Sequence, residues 1–421
     1  MNPVAQLCAP SHAPPALLQL LLVCALLGPG TADAHDGSFF GVRPFSDAGD
    51  FVGGGTTYGL VLVEDGRNLW TCLGAVGATP FWWHWVSAER VLMGTNEGIR
   101  ISQDGGCTWT VPVGLAGELT SFSIAPRPNL SQELVATTGA SEAGNHVLRS
   151  VDGGLSWDSI LRVEDADIWR TVWNQTGTEL IAEVVHPGGV TVLQRSVDAG
   201  ESWLATLLHL GDWRSVGLFG PSLDAQFLWL TALSPEGEFV LGRVQWDLGS
   251  ELEPLRAFPN LITAFVEEED QLHIVVSFAE YMTWTGLPED EPAATSGAVS
   301  TCLYGLDGLL WGCGGEPMRA QFSRRTAAGD WEELIRLADI EPRTCPEGSP
   351  GAALCPLEWK ELQGELNVGL PPGDDDDGGG EAAACAGCDD ATAPVLGLLG
   401  LLGFLLPLGR RTTSLRRPRS R

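Results

Sequence analysis

The chain reads as an all-β protein, a seven-bladed β-propeller with a C-terminal transmembrane helix. Three observations predict this. The pattern Ser-x-Asp-x-Gly-x-x-Trp occurs at Ser102 to Trp109, Ser150 to Trp157 and Ser196 to Trp203, with Asp104, Asp152 and Asp198 spaced by 48 and 46 residues. Short β-rich cores begin at Phe51, Val91, Leu134, Leu180, Leu228, Leu272 and Leu309, at intervals of 40, 43, 46, 48, 44 and 37 residues. Between them lie turn residues such as Asn96-Glu97-Gly98, His186-Pro187-Gly188-Gly189 and Pro235-Glu236-Gly237. Short strands punctuated by Gly, Pro and Asn are an all-β signature. Repeats of 40 to 50 residues with about four strands are propeller blades. Seven such units fill the span from His35 to about Pro342. The fifth and sixth units lack the turn pattern, so six and eight blades are the alternatives.

At the N-terminus, residues 1–34 read as a signal peptide. The apolar run Ala16 to Leu27 is too short to span a bilayer and is followed by Ala32-Asp33-Ala34, a small-x-small cleavage pattern. The propeller then occupies residues 35–345. Within a blade the expected order is strand A nearest the axis, strand B formed by the cores above, strand C, the turn pattern, and strand D. Each residue type in the pattern has a reason. The Asp carboxylate accepts turn N–H groups, as in Asx-turns. Gly supplies a positive φ. Trp109, Trp157 and Trp203 cover the turn and pack between units. Weaker copies lie at Asp65 to Trp70 and at Ala327 to Trp331.

The six cysteines Cys72, Cys107, Cys302, Cys313, Cys345 and Cys355 are an even number in an exported domain, where disulfides are the default. Short separations suggest Cys302–Cys313, across an Asp307-Gly308 hairpin turn, and Cys345–Cys355. Cys72–Cys107 follows by elimination. Residues 346–371 form a Cys-containing extension. Residues 372–392 form an acidic, Gly-rich linker carrying Cys385 and Cys388. Residues 393–409 are apolar, and the arginines of 410–421 orient such a segment with its C-terminus inside.

The Ser-x-Asp-x-Gly-x-x-Trp copies resemble the Asp box, or BNR repeat, of sialidases and other propellers. In that family the boxes sit away from the catalytic face and serve structure. The acidic spacer, Cys pair, apolar helix and arginine tail resemble the MYXO-CTERM sorting tail of myxobacterial surface proteins. That resemblance implies a processing enzyme acting near Cys385 or Cys388 and a final place at the cell surface. The tail has Cys-Ala-Gly-Cys where the family usually has a closer pair.

A net charge of −30 disfavours nucleic acid and anionic membrane surfaces as partners. No metal-ligand spacing and no cofactor fingerprint is visible. Sialidase activity needs an arginine triad, an early Phe/Tyr-Arg-Ile-Pro motif and a Tyr nucleophile with a Glu partner. Val42-Arg43-Pro44-Phe45 does not fit the motif. Tyr281 follows Glu280, but strand neighbours face opposite ways. No catalytic residue is therefore assigned. Trp169-Arg170 and Trp213-Arg214 recur on strand A one unit apart, which makes Trp169, Arg170, Trp213 and Arg214 candidates to line the channel and hold a ligand. The aromatic run Phe81 to Trp85 is expected to fill contacts between blades. The reading is a non-catalytic surface module that binds a protein or glycan. The alternative is an extracellular glycoside hydrolase of sialidase-like type.

Overall fold

The computed structural model of the chain describes residues 46–366, except 48–49, 52, 57, 116–119, 140–143, 205–206, 211, 270, 278–279, 288–289, 295–301, 307–308, 315–319, 327–328 and 337–338. Residues 1–34, expected to be a signal peptide, the expected linker with Cys385 and Cys388, the segment 393–409 and the arginines of 410–421 lie outside the described residues. No helix among the described residues is long and apolar enough to cross a membrane.

Apart from the short pair Ser46–Asp47 and Asp50–Phe51, the described strands form seven sheets that follow one another along the chain as seven propeller blades, antiparallel throughout save for one strand of blade 1. Blade 1 holds Gly53–Thr56, Gly59–Glu64 and Arg67–Cys72; blade 2 holds Pro80–Trp85, Val91–Thr95 and Gly98–Ser102. Blade 3 runs from Thr120–Arg127 to Asp158–Val163, blade 4 from Asp167–Trp173 to Leu207–His209 and blade 5 from Arg214–Pro221 to Glu253–Phe258. Blade 6 runs from Ile262–Glu267 to Ala293–Ala294, and blade 7 from Cys302–Leu306 to Trp331–Arg336. The second strand of each blade is covered on both faces by neighbouring blades. Val91–Thr95 and Leu272–Val276 are accordingly buried at every position. Strands buried on both faces read as continuous apolar runs rather than alternating ones. Six of the seven expected cores, from Val91 to Leu309, begin or lie within these second strands.

The first core needs correcting. The glycines after Phe51 lie on the innermost strand of blade 1, and the second strand is Gly59–Glu64. Gly53 to Gly55 leave room for indoles: a Cβ on Gly55 would lie 2.2 Å from Trp83. The phase slips because blade 1 has no outer strand of its own in sequence order. Ile340–Pro342 supplies it, paired in parallel with Asn68–Trp70, and so closes the ring.

The aromatic run of blade 2 packs between blades, as its strand alternation requires. Trp82 joins Leu92, Ile124 and Leu134 towards blade 3. Trp83 and Trp85 join Leu60, Leu62 and Met93 towards blade 1. Full burial of each such side chain stabilises the fold by about 1.5–3 kcal/mol, so the contacts between blades hold the ring together.

After the closing strand the chain forms a helix, Pro350–Leu366, which packs Trp359 on Trp70 of blade 1 with ring centroids 5.4 Å apart. Three disulfides are present among the described residues. Cys302 and Cys313 face each other across a strand pair. The other two differ from the pairs expected from sequence: they are Cys72–Cys355 and Cys107–Cys345. Cys345 and Cys355 are separated by the start of the helix, and each is carried to a different blade.

Candidate functional site

The turn pattern forms one geometry three times. In each copy the Asp Oδ1 accepts from the Ser hydroxyl two residues before it and from the backbone N–H four residues after it, while Oδ2 accepts the hydroxyl at that later position. The partners of Asp104, Asp152 and Asp198 are thus Ser102 with Thr108, Ser150 with Ser156, and Ser196 with Ser202. The indoles of Trp109 and Trp157 donate back to Gly106 and Gly154, whereas Trp203 donates to Ile160 of the preceding blade. Burial works against ionisation of Asp152, but hydrogen bonds from Ser156 and Ser150 outweigh it and hold its pKa below the ordinary carboxylate value. The Ser202 hydroxyl, with its backbone N–H and Ser196, does the same for Asp198.

The residue after each Asp donates its N–H to the turn between strands A and B of its own blade: Gly105 to Glu89, Gly153 to Gln132 and Ala199 to Thr178. All three turns therefore share a rim with the A–B turns. Asp65 sits elsewhere. With Gly66 it makes the two-residue turn between the second and third strands of blade 1, both at positive φ. In blade 1 the register opposite the first residue of the second strand, held by Ser102, Ser150 and Ser196 in blades 2 to 4, belongs to Cys72. The disulfide to the helix stands where the other blades place the Ser of the turn.

A cavity of 1410 Å³ opens among the A–B turns of blades 3 to 7, with His84 and Trp85 of blade 2 also on its wall. None of Trp169, Arg170, Trp213 and Arg214 lines it. Their recurrence does not mark equivalent positions. Trp173 and Pro221 are the structural equivalents, each opposite the first core Leu of the next strand, so Arg170 and Arg214 stand at different heights. Arg170 reaches the Leu218 carbonyl of blade 5 at 3.4 Å. Arg214 lies against Gly189, in the B–C turn of blade 4. The Trp169 carbonyl accepts the Thr137 hydroxyl of blade 3, and Trp213 packs against the blade 4–blade 5 core.

The cavity wall comes from short segments at the ends of the A strands and the A–B turns of several blades. Blade 3 contributes Arg127 and a Pro128-Asn129 turn, with Asn129 at φ 62°. Arg127 donates to Glu133 at 2.6 Å and lies over the Trp173 ring at 5.3 Å. Blades 5 and 6 contribute Phe219 and Phe265, stacked at 5.2 Å, with Trp229 against Phe265. Glu267 accepts from the Trp229 indole and the Leu223 N–H, both at 2.9 Å. Glu268 accepts from Arg325 at 3.2 Å and bonds His273 Nε2 at 2.9 Å. His273 Nδ1 lies 2.7 Å from the Tyr281 hydroxyl. The neutral imidazole that satisfies both partners carries its proton on Nε2 and accepts from Tyr281. Burial, opposed by Glu268, lowers the His273 pKa, and burial pushes Tyr281 up to about 12. Neither ring lines the cavity; they support Glu268 from behind. Glu280 is exposed and Tyr281 buried, on opposite faces of their strand. The wall residues do not stand out in the sequence because their types differ from one blade to the next. The available signal is positional: Trp173, Phe219, Phe265 and Tyr304 put an aromatic near the end of strand A in four successive blades.

No protein-family model matches the chain and no curated protein matches it. Among solved structures, the chain is similar to YCF48 bound to D1 peptide, with 16% identity, a TM-score of 0.41, and coverage of 61% of this chain and 82% of that one. It is similar to the GH74 enzyme of Niastella koreensis, with 14% identity and a TM-score of 0.48. It is also similar to the GH74 xyloglucanase of Xanthomonas campestris, with 13% identity and a TM-score of 0.48. For both GH74 structures coverage is 72% of this chain, which spans 55% of theirs. The class is a disulfide-bonded, seven-bladed β-propeller.

Proposed function

We propose that the chain is an exported, non-catalytic surface propeller that binds an extracellular protein or glycan at the A–B-turn mouth of its channel. The observation that carries this reading is the state of the charges there. Arg127 is bonded to Glu133, Arg325 and His273 to Glu268, and Glu267 to an indole and a backbone N–H. A glycosidase needs two carboxylates placed about a scissile bond, and recognition of an acidic sugar favours bidentate arginines. Three disulfides fit a compartment outside the cytoplasm.

In this reading the three equivalent turns are Asp boxes of the BNR type with a structural role. Residues 1–34 are a signal peptide, 35–345 the propeller and 346–371 its extension. The tail is of the MYXO-CTERM type: 372–392 is a linker, 393–409 holds the chain in the membrane with the arginines cytoplasmic, and an enzyme acts near Cys385 or Cys388. The test pairs glycan and peptide arrays with assays of glycoside turnover on the purified full chain. Binding without turnover, lost when Leu130 and Leu223 at the mouth become Ser, is the expected outcome. Turnover would establish the hydrolase instead. For the tail, a Cys385→Ala, Cys388→Ala double variant should stall with its tail attached, as read by mass spectrometry of the membrane fraction.

A further inference from the structure

We infer that the mouth takes an extended peptide segment in which apolar residues alternate with Lys or Arg. The inference rests on the proposed binding role of this cavity and names its ligand. Leu130 and Leu223 both line the mouth and are 49% and 51% exposed. Exposed apolar residues scattered singly mark nothing, but ones joined into a contiguous patch mark interaction sites. Phe219 and Phe265 continue the apolar wall inward.

The aromatic faces argue against a sugar platform. Arg127 covers Trp173, while Phe219 stacks on Phe265 and Trp229 lies tilted against Phe265. What the mouth offers is apolar edges and gaps, which side chains fill and flat rings do not. The charge beside them has one sign. Glu269 lines the mouth beside Glu267 and Glu268 and is exposed, Asp224 is exposed on the A–B turn of blade 5 next to Leu223 in the chain, and both arginines on the wall are already paired. Hydrogen bonds from Ser222 and Gln226 hold the Asp224 pKa low, so this carboxylate is anionic at neutral pH. With −30 on the whole chain, the field draws cations and repels anionic partners. In an extended chain successive side chains face opposite ways, with about 3.3 Å between residues. Alternation therefore seats apolar groups on the leucine and phenylalanine wall and turns basic groups to the acids. A cavity of 1410 Å³ admits several residues of such a strand and no folded domain.

The test is fluorescence anisotropy with a labelled short peptide of alternating Val and Lys, its Val–Glu counterpart and a neutral glucan oligosaccharide, on the full chain. The Val–Lys peptide should bind, more weakly at ~300 mM than at ~50 mM salt, and the Val–Glu peptide should not. Leu223→Ser and Glu269→Lys should each weaken binding about tenfold. Val190→Ser, at the start of the third strand of blade 4 beside the B–C turn, should leave it unchanged. Equal binding to all three variants would reduce the effect to bulk charge and overturn the inference. Glucan binding that depends on Leu223, with no peptide binding, would sink the peptide and keep the binding role. A ligand from the arrays insensitive to Leu130 and Leu223 would remove the role itself.

Discussion

Asp152 collects a turn's loose donors with one carboxylate, taking N–H and O–H groups within four residues. Asp152→Ala leaves those donors to water, so stability should fall by about 1–2 kcal/mol, measured by urea unfolding. The pH dependence has a definite sign. A depressed carboxylate pKa contributes stability that is present above the ordinary value and lost as pH falls through the folded value. The wild type should therefore lose melting temperature more steeply than Asp152→Asn below about pH 4. His273 acts in a higher window. Its pKa is lowered, so the unfolded chain binds a proton that the fold refuses, and stability falls as pH drops below about 6.5. Tyr281→Phe leaves a buried imidazole nitrogen without its donor and should cost about 1–3 kcal/mol. Turn chemistry of the Asp152 kind was legible in the sequence because every partner lies within one octapeptide. The network around His273 was not, since Glu268, His273, Tyr281 and Arg325 meet only after two blades have folded side by side.

Among the elements, the C-terminal helix and the strand before it were the least legible. Cys355, Trp359 and Leu362 are buried at helical spacing, but Gly351 and Pro356 interrupt the pattern and Leu354 and Leu357 face outward. The short separation of Cys345 and Cys355 suggests a local bridge between them. The structure instead uses them as two anchors, one in blade 1 and one in the blade 2 turn. Two hydrogen bonds reinforce these anchors. Arg343 donates to the Gly105 carbonyl at 3.1 Å, and Gly351 N–H to the Cys107 carbonyl at 3.1 Å. In the chain-entropy account, a bridge over a long separation restricts the unfolded chain more than a short one. Replacing Cys72 and Cys355, 283 residues apart, by Ser should cost about 2–4 kcal/mol, and replacing Cys302 and Cys313, 11 apart, should cost less. Calorimetry on the two double variants decides it; equal losses would mean that strain or packing, not loop length, sets the effect.

For the molecule as a whole, the blade count was legible because seven apolar second strands repeat the same demand for burial on both faces. The phase of blade 1 was not, because its outer strand lies at the far end of the chain. Lys360 is the sole lysine of the sequence and stands exposed on the helix. A lysine-specific protease therefore reports on this closure alone. Cleavage after Lys360 should be slow in the oxidised protein and fast once the two long-range bridges are reduced; unchanged cleavage would show that strand pairing and Trp359 hold the helix without them. Joining the two ends of the fold also imposes an order in time. A chain made from its N-terminus carries Asn68 to Trp70 with an empty edge until Ile340 to Pro342 arrive. Blades 2 to 6 have neighbours on both sides before that moment; blade 1 does not. Exposed edges and long-range pairings are slow to satisfy and prone to wrong partners. The strand that makes the ring is thus made after all the blades it closes, and a ribosome that stops before residue 340 releases a product with an open strand edge, a substrate for chaperones and proteases rather than a shortened propeller.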